Sequence, residues 1–244
     1  MESEDKIQDK IYQSFLENIK HQGEQSELLL GLSGGLDSSV LLFLLAKIQV
    51  KFSFNLKAIH IHHGLNSSAD NWLAFCRKKC EYLNIDFYNE KVKVDLDSSL
   101  GLEGEARKLR YKAIKKRQKG IVVLGHHQND QAETLLLQLL RGSGLKGLSA
   151  MSEFDLKRNF WRPMLNIKRQ TLEVYAKAHG IEYIEDESNQ DEKFDRNFIR
   201  QKVLPLIKSR YPASIETLSR AANNIAEGHN LNNLIAIDDS KNHM

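Results

Sequence analysis

The sequence predicts an α/β fold, a largely parallel sheet of Rossmann-like type with helices on both faces. Two observations predict it. Short apolar runs of strand length alternate with stretches of helix length from Glu27 to Ile181. Three of those runs end in polar clusters, "SGGLDSS", "HIHHG" and "GHHQND". In such sheets, ligands bind beyond the carboxyl ends of the strands.

Each element has its own signal. Ile7, Ile11, Phe15 and Ile19 recur every fourth residue, so the chain opens on an amphipathic helix. "ELLLGLS" is a buried strand and "SSVLLFLLAKI" a buried helix. "NLKAIHIHHG" reads as the second strand. "SADNWLAFCRKKCEYLNI" is a helix that Ser68 or Asp70 caps. "DFYNEKVKV" alternates as a third strand. "GLEGEARKLRYKAIKKRQKG" is a helix closed by Gly120, and "IVVLGHH" is the fourth strand. "NDQAETLLLQLLRGSG" and "TLEVYAKAHGI" are helices that stop at glycines, and "IEYIEDES" is a short strand. Beyond about residue 205 the chain turns helical and polar. The expected division is a packing helix over 1–24, the main domain over 25–207, and a short helical extension over 208–244.

Bulk composition excludes little. The 244 residues are 41% hydrophobic and 27% charged, as in a soluble globular enzyme, and the net charge is +3. Charge is unevenly spread: eight Lys or Arg lie between Glu105 and Lys119, and seven acids between Glu182 and Asp195. Both runs read as solvated faces or as partner surfaces. The acidic, polar N-terminus is no signal peptide. No apolar run approaches the ~18 residues of a membrane span. Cys76 and Cys80 are four apart, which is neither a disulfide framework nor C-x-x-C. They fit small apolar positions one helical turn apart, in a reducing, cytoplasmic setting.

The glycine-rich turn after the first strand carries the most chemistry. Gly34 and Gly35 let a ligand approach the backbone, and the following helix offers unpaired N–H groups and its positive end. Ser33, Ser38 and Ser39 add hydroxyls. Asp37 repels a phosphate unless a divalent cation lies between them, and Mg²⁺ is the natural bridge. The turn is neither G-x-x-x-x-G-K-[ST] nor G-x-G-x-x-G. A tight turn with Asp37 or Ser38 as helix cap fits the same residues.

"SGGLDSS" resembles the pyrophosphate-binding loop of the N-type ATP pyrophosphatases, which cut ATP to AMP and pyrophosphate to activate a carbonyl oxygen. "HIHHGLN" (60–66), "EGEARKLRY" (103–111), "LGHHQNDQAETLLLQLLRGSGLKGLSAM" (124–151), "RPML" (162–165) and "EDESNQDEKFDRNFIRQKVLPLI" (185–207) follow in order. Together they resemble the bacterial tRNA(Ile)-lysidine synthetases, over residues 28–207. The resemblance implies ATP-dependent ligation of free L-lysine to the wobble cytidine of an isoleucine tRNA with a CAU anticodon, through an adenylated cytidine. A homodimer is compatible with it. A thiolating enzyme on the same scaffold would be expected to show C-x-x-C cysteines. A silent nucleotide- or tRNA-binding fragment is the third reading, favoured by the short stretch after Ile207.

The resemblance implies roles residue by residue. Ser33, Gly34, Gly35, Leu36, Asp37, Ser38, Ser39 and His63 bind ATP. Asp37 and Asp130 hold Mg²⁺, or Asp130 serves the amine. Asp37, Asp130, Arg107, His126 and Arg200 are catalytic. Arg107, Arg110, Lys115, Lys116 and Arg196 contact tRNA. Asp130, with Glu133 three residues on, also fits a capping box opening its helix. Leu102, Ala106, Leu109 and Ala113 form the core stripe of the basic helix, which sets Arg107 and Arg110 at the crevice. Glu103 is the ordinary partner for Arg107, and the nearby acids are ordinary partners for Arg196 and Arg200. Zinc at the five clustered histidines lacks supporting cysteines. For the lysine pocket, Asp130, Glu133 and the acids at 185–187 are candidates that no spacing separates.

Overall fold

The computed structural model describes residues 2–19, 27–52, 54–64, 68–95, 98, 101–186 and 191–242. They group into two compact units. A sheet unit comprises Met1–Gly125 and Glu153–Asp186, and a helical unit comprises His126–Ser152 and Glu187–Met244.

The sheet unit runs α1 (Glu2–Asn18), β1 (Glu27–Gly31), α2 (Leu36–Gln49), β2 (Asn55–His62), α3 (Ala69–Tyr82), β3 (Asp86–Lys91), α4 (Gly101–Arg117) and β4 (Ile121–Val123). After the chain returns it adds β5 (Phe154–Asp155), β6 (Phe160–Trp161) and α7 (Arg169–Ala178). The strand order is β3-β2-β1-β4-β6-β5, parallel throughout except for β5 against β6. β1 is central, pairing Leu28 with Leu56 on one side and with Ile121 on the other.

A central strand buried on both faces must be apolar at every position. Leu28, Leu29 and Leu30 are all fully buried, and they alternate between two cores. Leu28 and Leu30 face the larger cluster, with Ile11 and Phe15 of α1, Leu41 and Leu45 of α2, Cys76 and Cys80 of α3, and Leu172 and Tyr175 of α7. Leu29 faces a smaller cluster with Ile59, Val122, Phe160 and Ile114 of α4. α1 buries the fourfold stripe read from the sequence, from Ile7 through Phe15. Its Ser14 hydroxyl also accepts from Trp161 Nε1 at 2.9 Å.

Two expectations for this unit change. The core stripe of α4 is only partly the expected one: Ala113 is buried as read, but Leu102, Ala106 and Leu109 are only half-buried, while Ile114 is 1% exposed and Tyr111 packs beside it. The helix meets the sheet near its C-terminal end, so the stripe that packs follows Tyr111 and Ile114. Residues 181–186 form no strand: Ile181 N–H donates to Ala176 O of α7 and Ile184 N–H to Gly34 O of a loop, not to a ladder.

The helical unit holds α5 (Gln128–Leu140), α6 (Leu145–Leu148), α8 (Asp195–Phe198), a π-helical turn (Ile199–Val203), α9 (Leu204–Arg210) and α10 (Ser214–Asn242). Ala132, Ile199, Leu204 and Ile215 form its core, with Leu136, Leu137, Val203 and Leu218 packed around them. Pro205 stands in the first turn of α9 and brings no N–H to bond one turn back. The π turn just before it is the local adjustment such a break invites. Among the described residues, no helix is long and apolar enough to cross a membrane.

Candidate active site

The loop between β1 and α2 brings backbone N–H groups together at one point, as an anion site requires. Gly34 adopts φ +89°, a conformation that glycine enters without strain. Gly35 is the N-cap of α2 and gives it no side-chain cap, so neither Asp37 nor Ser38 is the cap residue. The Ser38 hydroxyl instead turns back into the loop, where it accepts from the N–H groups of Ser33 and Gly34, each at 3.2 Å. It also lies 3.1 Å from Ser33 Oγ and donates to the Gly35 carbonyl at 3.1 Å. Converging N–H groups at a helix start are what a phosphate oxygen needs, and a hydroxyl oxygen occupies that position here. Ser39 Oγ donates to Gly34 O at 3.1 Å. Leu36 is buried beneath the turn. After β4, Gly125 passes so close to α2 that a Cβ there would lie 3.3 Å from Asp37 C and Ser38 N.

Asp37 is half-buried in the first turn of α2. Among the described residues, no group of three or more His, Cys, Asp or Glu side chains gathers into a metal cage. That donor set does not fit zinc, which takes three or four protein ligands. It does fit magnesium, which binds through one or two carboxylates, waters and the substrate's phosphate oxygens.

The neighbouring strand end carries His63. Burial, then the charge of Arg110, then His60 and His62 push its pKa down to about 4, so it stays neutral at neutral pH. His60 is buried and bridges to Leu32 O through Nδ1 at 2.9 Å, while His62 pairs with Asp70 at 3.2 Å. The first two histidines of "HIHH" are therefore structural, and His63 is the one that lies past the strand. Arg110 is exposed and close enough to influence it.

Arg107 is half-buried, with its guanidinium 5.2 Å from the Tyr111 ring centre. Tyr111 stacks on Phe160 at 5.5 Å, and Arg162 lies 5.9 Å from the Phe160 ring centre. Arg162 is 4% exposed at the carboxyl end of β6. It is the first residue of "RPML", and its sequence pattern assigns it no role. The sequence signal was an arginine directly after a buried aromatic pair. Lys115 and Lys116 are exposed on the last turn of α4, where Lys116 and Arg117 pair with Glu90 at 3.4 and 2.8 Å. The side chain of Glu103 and residue Glu187 lie outside the described residues.

In the helical unit, α5 starts three residues earlier than its cap reading implied. His127, not Asp130, is the N-cap. His127 Nδ1 accepts from the Asp130 N–H at 3.3 Å, and Asp130 Oδ2 accepts from the His127 N–H at 2.9 Å. This is a reciprocal capping box with histidine in place of serine. His126 stands just before it, half-buried.

Asp130 and Glu133 meet the two arginines of "RNFIR". Arg196 Nε donates to Glu133 Oε2 at 2.7 Å and its NH2 group to Asp130 Oδ1 at 3.2 Å. Arg200 Nε donates to Glu133 Oε1 at 2.7 Å and its NH2 group reaches Asp130 Oδ1 at 3.4 Å. The acids just before the arginines pair elsewhere, Asp195 with Arg141 and Glu192 with Lys202. Burial alone would raise the Asp130 carboxyl. The surrounding His127, Arg196 and His126 overrule it and hold it well below the usual carboxylate range.

Cys76 and Cys80 are fully buried, and burial pushes both thiols up to about 12. Neither is a thiolate at neutral pH, so neither has the chemistry of a sulfur carrier.

A parallel sheet whose central strand runs into a glycine–serine anion loop defines a nucleotide-binding α/β domain of the PP-loop class. The chain belongs to the PP-loop domain family, which matches it over residues 4–207. It is 47% identical over 207 residues to the tRNA(Ile)-lysidine synthase of Actinobacillus pleuropneumoniae serotype 3 (strain JL03), covering 83% of this chain and 48% of that protein. It is 45% identical over 233 residues to the enzyme of the same name from Histophilus somni (strain 129Pt), covering 92% of this chain and 54% of that one. The chain therefore spans about half the length of the curated relatives it matches. Among solved structures, the U34-tRNA thiolase NcsA from Methanococcus maripaludis matches the fold with a TM-score of 0.75 at 16% identity, over 91% of this chain and 78% of that one.

Proposed function

We propose that this chain ligates free L-lysine to the wobble cytidine of an isoleucine tRNA bearing CAU. ATP first adenylates the ring carbonyl oxygen of the cytidine and releases pyrophosphate. The side-chain amine of lysine then displaces AMP to give lysidine. The observation that carries the reading is identity of 45–47% with proteins named tRNA(Ile)-lysidine synthase over 83–92% of the chain. The anion loop supplies the chemistry that the first step needs.

On this reading, Ser33 to Ser39 hold the phosphates of ATP, and His63, neutral, accompanies the nucleotide without adding charge. Asp37 would hold Mg²⁺, and the ion would supply charge neutralisation on the leaving pyrophosphate. Asp130 is kept as the second proposed carboxylate, for the metal or for the amine. Its present hydrogen bonds to Arg196 and Arg200 would have to be exchanged in either role. Arg200 and Arg196 stabilise negative charge, and His126 serves the adenylate. Arg107, Arg110, Lys115 and Lys116 form a basic approach for the tRNA backbone. We place the catalytic part at 25–207, with 208–244 as a helical connection toward RNA contacts, and the enzyme in the cytoplasm. A transcript of the isoleucine tRNA should stimulate AMP release from ATP and Mg²⁺, and a transcript with an altered wobble base should not. Equal AMP release with either RNA would overturn the reading.

A further inference from the structure

The Gly34–Gly35 peptide is the joint of the anion loop, and both of its flanking residues lack a Cβ. A peptide between two glycines has little steric resistance to flipping. In a trans peptide the C=O and the next N–H point in opposite directions. Whatever holds the Gly34 oxygen therefore sets the aim of the Gly35 N–H, one of the loop's anion donors. The Gly35 N–H now donates to Ser33 Oγ at 3.3 Å.

Two donors hold that oxygen. One is the Ser39 hydroxyl at 3.1 Å, and the other is the backbone N–H of Ile184 at 2.9 Å. Ile184 also touches Gly34 from one side. A Cβ on Gly34 would lie 3.1 Å from Ile184 Cδ1 and 3.1 Å from Cys76 Sγ. Cys76 is itself held from behind, 3.6 Å from the ring of the buried His60. The segment bearing Ile184 is anchored where it leaves α7, because Ile181 N–H donates to Ala176 O at 2.8 Å and Gly180 turns the chain at φ +60°. Ile184 thus reaches the loop from a fixed start, although it belongs to no strand.

We propose that Ile184 is a positioning residue for the ATP loop: its N–H locks the Gly34–Gly35 peptide plane so that the Gly35 N–H faces the phosphates. A flipped plane would aim a carbonyl oxygen at a phosphate oxygen, and the two would repel. The proposal rests on the reading of the loop as an ATP site.

The test is calorimetric titration of ATP into the full chain and its variants, with thermal melting alongside. Ile184→Pro removes the donor, Ile184→Val keeps both donor and bulk, and Ile181→Ala removes buried bulk from the same segment. Loss of one charge-assisted donor weakens binding by about tenfold or more. We expect that loss for Ile184→Pro, near-parental affinity for Ile184→Val, and a lower melting temperature with near-parental affinity for Ile181→Ala. If Ile184→Pro misfolds, an amide-to-ester replacement at Ile184 decides: it removes the same N–H, keeps the side chain, and should weaken ATP while Ile184→Val does not. A parent that binds ATP, with folded Ile184 variants binding equally well, overturns the inference alone. A parent that binds no ATP overturns the reading of the loop and the inference with it.

Discussion

Arg200 Nε donates to Glu133 Oε1 at 2.7 Å, and Glu133 is only 1% exposed. Arg196 holds the other oxygen of the same carboxylate at 2.7 Å. Two guanidiniums and the two carboxylates of Glu133 and Asp130 thus form one compensated group inside the helical unit. Removing one member strands buried charge, which costs more than the pair contributes when intact.

Glu133→Ala should therefore lower unfolding free energy by about 3–5 kcal/mol in denaturant titration. A double-mutant cycle with Arg200→Ala should show coupling on the order of 1–3 kcal/mol. Additive losses would mean that the two residues do not act as a unit.

Asp37 belongs to the sheet unit. It is half-buried in the first turn of α2, where an acid gains only about 0.3–1 kcal/mol from the helix dipole. Asp37→Ala should leave the melting curve nearly unchanged and reduce AMP formation by roughly two to three orders of magnitude. Turnover near the parent's level would remove Asp37 from the proposed metal role.

The two loop glycines should respond differently. Alanine at Gly34 meets both φ +89° and side chains at 3.1 Å, whereas the nearest atom to a Cβ on Gly35 is Ser33 Oγ at 3.5 Å. Gly34→Ala should cost at least about 1–2 kcal/mol of stability from the backbone alone. Gly35→Ala should cost less than that in the same unfolding assay.

His63 gives a pH signature. Its folded pKa, about 4, is below the ordinary 6.5, so between those values the unfolded chain binds more protons. Stability linked to His63 is therefore fully present above about pH 6.5 and falls as the pH drops toward 4, with a slope of up to about 1.4 kcal/mol per pH unit. His63→Asn should flatten that part of the profile. Arg110→Ala should raise the His63 pKa, read by proton NMR, and weaken RNA-dependent turnover more than ATP binding.

The sequence showed the sheet because apolar strands such as Leu28–Leu30 have no other use for so many buried leucines. It showed the tight turn after β1 because Gly34 and the serines crowd it. It did not show β5 and β6, which are two residues each and carry no period. Gly180 signalled the stop of α7, but the segment after it was read as a strand because its partner is a loop carbonyl that no local pattern encodes. The cap of α5 was misplaced by three residues because histidine is an unusual cap, and Asp130 looked like the usual one. The partners of Arg196 and Arg200 lie more than 60 residues away, and nearer acids offered simpler pairs.

The most direct measurement uses this chain with ATP, Mg²⁺, radiolabelled lysine and the isoleucine tRNA transcript bearing CAU, with a methionine tRNA as control. The account predicts label stably attached to the isoleucine transcript, together with release of AMP. Absence of both label and AMP, from a chain that is folded by thermal melting, would contradict it.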